Sequence, residues 1–246
     1  MDHRFIAKQM CQLTEEMLWK PRRDWALKRN PKAALTTRVG SGNKTYLSHH
    51  RDMSVSGQMT ITYGLKMVAS KANPDTMCGW RSSRELRERG YYGGELNMLN
   101  LLAHTMAHEF AHLVQVLLDW RQINSVHNAD FYRVLDRIHA SNDAVLLRDS
   151  LHRACLGRGI DLSRIGPSDR AMAAMSGRHV SGEKMLALAD VRPGETLWFL
   201  DADGLQFNPV KALKKVRGKL HVESLAPGKR GVRLVTPAAL LSKTAP

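Results

Sequence analysis

Residues 95–131 read ELNMLNLLAHTMAHEFAHLVQVLLDWRQINSVHNADF, and this stretch decides the fold. From Glu95 to Trp120 there is neither proline nor glycine. Leu99, Leu102, Met106, Phe110, Leu113 and Leu117 recur at steps of three and four, the period of one helical face. The spacing predicts a long central helix. After a break over 121–126, Asn128 can cap a second helix with the face Phe131, Leu135 and Ile138. Asn142 can cap a third, which Gly157 ends.

Within HTMAHEFAHLV, His108 and His112 stand four residues apart, so a helix projects both imidazoles from one face, about one turn from each other. Thr105, Met106, Ala107, Phe110, Ala111, Leu113 and Val114 are all uncharged, as a buried helix requires, and two histidines with a glutamate would be poorly solvated there without a cation. The pattern points to one Zn2+ held by His108 and His112. Glu109 beside them is placed to take a proton from water and pass it to a leaving amine. A third ligand is needed, and His127 is chosen because it opens the next helix in HNADF, from where it can turn back. His104 competes, but ligands at i, i+4 and i+8 drift by roughly 40° per step around the helix, which strains a tetrahedral site; it is read as outer support or packing. Asp119 and Asp130 are weaker candidates, better suited to capping or to orienting a histidine.

Working outward, Ile6, Met10, Leu13 and Met17 share a helical face over residues 3–20, with Pro21 as the expected stop. AALTTRVG, KTYLS and MTITYGLKMV between residues 33 and 69 read as two or three antiparallel strands. Residues 71–94 read as a basic connection with one helical turn at SSRELRE. Residues 157–189 lack clear periodicity apart from a short helix at 168–176. The last 57 residues hold ETLWFL, FNPVKALKKV, KLHVESL and GVRLVTP, brief strands that suggest a small β-barrel.

The chain has 246 residues, 37 of them Lys or Arg and 23 Asp or Glu, for a formal charge of +14. With a pI near 10.0, the surface should attract a polyanion, and nucleic acid is the expected one. Cys11, Cys78 and Cys155 form no CxxC pair, which argues against a disulfide framework and a thiolate zinc ribbon and favours a reducing, cytoplasmic setting. No secretory leader and no apolar run long enough to span a bilayer is visible, so no membrane partner is expected.

With His108, Glu109 and His112 as HExxH on a long helix, and His127 and Phe131 as a third histidine in an HxxxF context, the chain resembles the SprT-like family of zinc metalloproteases. The resemblance covers roughly residues 1–156. It implies an α+β, zincin-like domain of helices on a small sheet, with endopeptidase activity towards proteins attached to DNA. Two departures stand out: Asn128 follows the third histidine where a glycine is common, and no cysteine pair exists for a C-terminal zinc ribbon. The tail instead resembles small SH3-like or KOW-like barrels.

The expected organisation is a metalloprotease domain over 1–156, a linker or arm over 157–189, and a basic barrel over 190–246, where ten basic residues face five acidic ones. Arg81, Arg84 and Arg87, near Trp80, Tyr91 and Tyr92, are candidates to line the cleft and touch nucleic acid. Lys211, Lys214, Lys215, Arg217 and Lys219 are the tail's candidates, and Lys20–Lys32 with Trp19 and Trp25 offer a third basic and aromatic set. The alternative from another class is a nucleic-acid-binding adaptor with a structural or inactive zinc site. A hydrolase acting on a non-peptide amide is a third reading. The oligomeric state is not legible.

Overall fold

The computed structural model describes residues 1–122, 125–175, 191–200, 207–216, 219–226, 231–236 and 241–242. They form a mixed α+β chain that divides into two compact units, Met1–Pro167 and Ser168–Pro246.

In the first unit α1 (His3–Leu13) starts where the Asp2 carboxylate accepts the Phe5 amide at 2.9 Å, and it buries Ile6, Ala7, Met10 and Leu13. Pro21 does not stop the helical path. A π-helical stretch Thr14–Trp19 and a tight turn Lys20–Arg22 lead into α2 (Arg23–Arg29). Proline is tolerated there because it sits at the start of a new turn, where its missing N–H is not needed. The wider turn sets Thr14 facing the sheet, its hydroxyl 2.8 Å from the Met10 carbonyl and 2.7 Å from the Tyr63 hydroxyl.

Strands β1 (Ala34–Gly40), β2 (Tyr46–His49) and β3 (Gln58–Gly64) form a sheet of order β1-β3-β2. β2 runs antiparallel to β3, but β1 runs parallel to it, which corrects the expectation of an antiparallel sheet. Met59, Ile61 and Tyr63 are fully buried, as suits the central strand; the chain reverses after β1 and again after β2, so β3 returns between them, parallel to β1 and antiparallel to the shorter β2. The strand expected to run on through LKMV ends at Gly64. A Cβ there would lie 2.3 Å from the Gly42 carbonyl oxygen, and the chain turns at this close approach into α3 (Leu65–Ala72).

The segment read as a basic connection carries a full helix, α4 (Arg81–Arg89), closed by Gly90 at φ 68°. The central helix α5 (Met98–Leu117) begins at Asn97, whose side chain accepts the Asn100 amide at 2.8 Å. α6 (Ala129–Ala140) begins with Asn128 accepting the Phe131 amide at 2.9 Å and buries Phe131, Leu135 and Ile138. α7 (Asp143–Leu156) buries Ala144, Leu147, Leu151 and Cys155 against the same core. Residues 157–167, assigned to the linker on sequence, pack on this unit: Leu162 is buried and Met98 donates to the Ile165 carbonyl at 2.8 Å.

The second unit holds α8 (Asp169–Met175) and strands β4 (Thr196–Leu200), β5 (Phe207–Val216), β6 (Lys219–Ser224), β7 (Arg233–Thr236) and β8 (Leu241–Ser242). The strands form one antiparallel sheet of order β7-β6-β5-β4-β8, with a bulge between Ala212 and Lys214. Val191, Leu197, Val210, Ala212, Leu220 and Val222 make its core. The last strand, β8, returns to pair with the first, β4, so among the described residues β7 and β8 stand at the two ends of the strand order. Among the described residues no helix is long and apolar enough to cross a membrane.

Candidate metal centre

The four-residue spacing on α5 sets the rings of His108 and His112 5.0 Å apart, both facing α6. Just before α6, His127 turns back, and its Nε2 lies 3.1 Å from the Nε2 of His108 and 3.1 Å from that of His112. Phe131, in the first turn of α6, underlies all three: it stacks on His112 at 4.3 Å and meets the edges of His108 and His127 at 4.8 Å. The three histidines form a group able to hold a metal ion, with their ligand atoms all within 4.8 Å of one another.

The hydrogen bonds behind the rings fix which nitrogens are bare. His112 Nδ1 faces the Gln115 side-chain oxygen at 3.3 Å, and Gln115 donates in turn to Asn128 at 2.9 Å. His108 Nδ1 lies 2.9 Å from Glu85 Oε2. Both acceptors demand an Nδ1 proton, so in neutral rings the Nε2 lone pairs of His108 and His112 point inward at His127. Bare nitrogens crowded together repel unless a cation or a proton sits among them. Tetrahedral zinc with Zn–N bonds of about 2.0–2.1 Å spaces its ligand nitrogens about 3.4 Å apart, close to what these side chains present. Burial, ahead of the neighbouring positive charges, pushes His112 and His127 below the usual histidine range, which keeps them in the ligand form.

Glu109 sits on the same helix, only 6% exposed. Burial raises its carboxyl above the usual range, opposed by the charges of His108, Lys71 and Arg121 and by the Leu47 backbone amide of β2. Lys71 on α3 is 2% exposed; its ammonium bonds the Thr105 hydroxyl and lies 5.2 Å from the centre of the Trp80 ring. Burial pushes its pKa down to about 7, against the pull of Glu109 and Glu85. Arg121 follows α5, and its buried Nη1 finds no hydrogen-bond partner among the described residues.

Other predicted residues fall apart from this group. Arg81, Arg84 and Arg87 lie exposed on the outer face of α4, though the charge of Arg81 reaches His127. His104 is fully buried and faces Glu85 and His139, not the three-histidine group. Asp130 pairs with Arg133, and Asp119 takes a left-handed φ of 55° in the turn after α5. Lys211, Lys214 and Lys215 are exposed on β5 and Lys219 opens β6. Arg217 and residues 176–190 of the expected arm lie outside the described residues. Sequence reasoning missed Glu85, Lys71, Arg121 and His139. For His139 a signal existed, because Tyr132, Asp136 and His139 recur at helical spacing on a polar face of α6.

Comparison with protein-family models, curated proteins and solved structures gives no match for this chain.

Proposed function

We propose that the chain is a zinc-dependent endopeptidase of SprT-like type acting on proteins associated with DNA. The observation that carries this reading is the convergence of the His108, His112 and His127 Nε2 atoms one residue away from a buried glutamate, Glu109. These three nitrogens would hold the ion. A bound zinc supplies Lewis acidity towards water and a carbonyl oxygen.

This chain's own residues account for the rest. Glu109 takes the proton of the attacking water on a carboxylate oxygen and delivers it to the leaving amine nitrogen. Its raised affinity for a proton suits that exchange better than an ordinary surface carboxylate would. Among the described residues β2 has β3 on one side only, so its other edge can pair with an extended peptide, and Leu47 of that strand lies beside Glu109. The alternative of a purely structural metal leaves a buried glutamate at this position without a task.

The DNA part of the proposal rests on the formal charge of +14 and on the exposed Lys211, Lys214 and Lys215 of β5. The test is to incubate the zinc-loaded chain with a basic DNA-binding protein, with and without single- or double-stranded DNA, and to map new termini by mass spectrometry. Cleavage stimulated by DNA is the expected outcome. No cleavage under any of these conditions contradicts the proposal.

A further inference from the structure

Glu85 is the point at which three helices exchange hydrogen bonds. It is 3% exposed on α4, in a helix whose outer face is almost wholly charged. Its Oε2 lies 2.9 Å from His108 Nδ1 and 2.9 Å from His104 Nε2, both on α5, and its Oε1 accepts the Tyr132 hydroxyl of α6 at 3.2 Å. His104 Nδ1 in turn lies 2.9 Å from His139 Nε2, and the His139 ring stacks on Tyr91 at 3.8 Å. Tyr91 and Arg89 both bond Asp136, and the Arg89 guanidinium lies 3.8 Å from the centre of the Tyr132 ring.

Around an ionised carboxylate, which only accepts, the network with neutral rings has one consistent set of donors. His108 donates from Nδ1 and keeps Nε2 bare. His104 donates from Nε2, so its Nδ1 must accept, and His139 must donate from Nε2. Each of these bonds then has one donor and one acceptor, and nothing in the network calls for a second cation. Although Glu85, His104 and His108 are close enough to be ligands of one, a metal there would have to displace bonds that are already made.

We propose that Glu85 is a positioning residue: it fixes the tautomer and ring angle of His108 so that its Nε2 meets His112 and His127, and His104, His139 and Tyr132 hold Glu85 in place for this. The proposal rests on the three-histidine group being the metal centre. It adds that the carboxylate strengthening one ligand comes from α4, outside the sequence motif. Such outer partners change metal affinity by roughly 10–100-fold when removed.

The experiment measures zinc affinity by chelator competition, and records the imidazole nitrogens of the zinc-loaded protein by 15N-edited NMR. It compares the wild type with Glu85→Gln and Glu85→Ala. In the wild type a slowly exchanging, downfield Nδ1 proton on His108 is expected. In Glu85→Ala that resonance is lost and zinc binds on the order of 100-fold more weakly. Glutamine keeps an acceptor oxygen but not the charge, so it should partly rescue both readouts, with affinity roughly 10-fold below wild type and the resonance shifted upfield.

Zinc affinity within about twofold of wild type in a folded Glu85→Ala protein, against the roughly 10–100-fold expected of such a partner, overturns the proposal. Should the alanine variant fail to fold, an unchanged Nδ1 resonance and an unchanged affinity in Glu85→Gln overturn it. A wild type that takes up no zinc overturns both this proposal and the functional reading. Zinc binding and resonances that follow the expected order, in a protein that cleaves nothing, overturn only the functional reading.

Discussion

His127 Nε2 stands 3.1 Å from His108 Nε2 although nineteen positions and a helix break separate them in the chain. His127 stands just before the Asn128 cap of α6, so the third histidine of the group is supplied by the fold and not by the helix that carries the other two. His127→Ala should therefore weaken zinc binding by several orders of magnitude while the fold survives, because His127 is only partly buried. His104→Ala should cost no more than roughly 10–100-fold, since it acts through Glu85. Zinc content after dialysis against a graded chelator series checks the order; the reverse order would make His104 the ligand.

Lys71 gives a pH signature of stability. Its folded pKa is about 7 and its reference value 10.5, so between these values the unfolded chain holds a proton that the folded chain lacks. Raising the pH through that window therefore favours the folded state, by up to about 1.4 kcal/mol per pH unit from this group. Below pH 7 both states are protonated and the penalty of a buried ammonium is present in full. Lys71→Met should be more stable than wild type near pH 7, with the advantage shrinking by about pH 9. Denaturant titrations of the two proteins at both pH values measure the difference. An advantage that does not change with pH would mean that Lys71 is charged throughout.

On the second unit, Lys211, Lys214 and Lys215 are exposed along β5. If they meet phosphates, replacing all three by glutamine should lower the slope of log affinity against log salt by roughly 0.9 for each duplex phosphate that is no longer neutralised. Sequence preference should not change, because a lysine on a phosphate reads no base edge. The first unit is basic as well, with 22 basic and 15 acidic residues over 1–156, so a weakened interaction and not its abolition is expected. Equal slopes for the two proteins would assign these lysines another role.

How much of this was legible in the sequence depended on whether local pattern or distant packing decided the outcome. The central helix, its histidine pair and the Asn128 cap follow from periodicity and side-chain chemistry within a few residues. The direction of β1 relative to its neighbour does not, because it depends on β3 returning between β1 and β2, which no local pattern of β1 reveals. That Gly64 has no room for a side chain is set by the distant Gly42 carbonyl. Glu85 was hidden for the same reason: in RSSRELRER it looks like one more surface charge, and only His104, His108 and Tyr132 make it a buried acceptor. Pro21 misled because proline breaks a helix interior but suits a new first turn.

The central claim is that Glu109 and the three histidines form one catalytic centre, and the most direct measurement is the cleavage rate of Glu109→Gln with its zinc content determined on the same preparation. The amide keeps the shape of the carboxylate and cannot take the water proton. The account predicts one zinc per chain, a melting temperature near that of wild type, and cleavage reduced by about 10²–10⁴-fold or more. Cleavage at the wild-type rate by the zinc-loaded glutamine variant would contradict it.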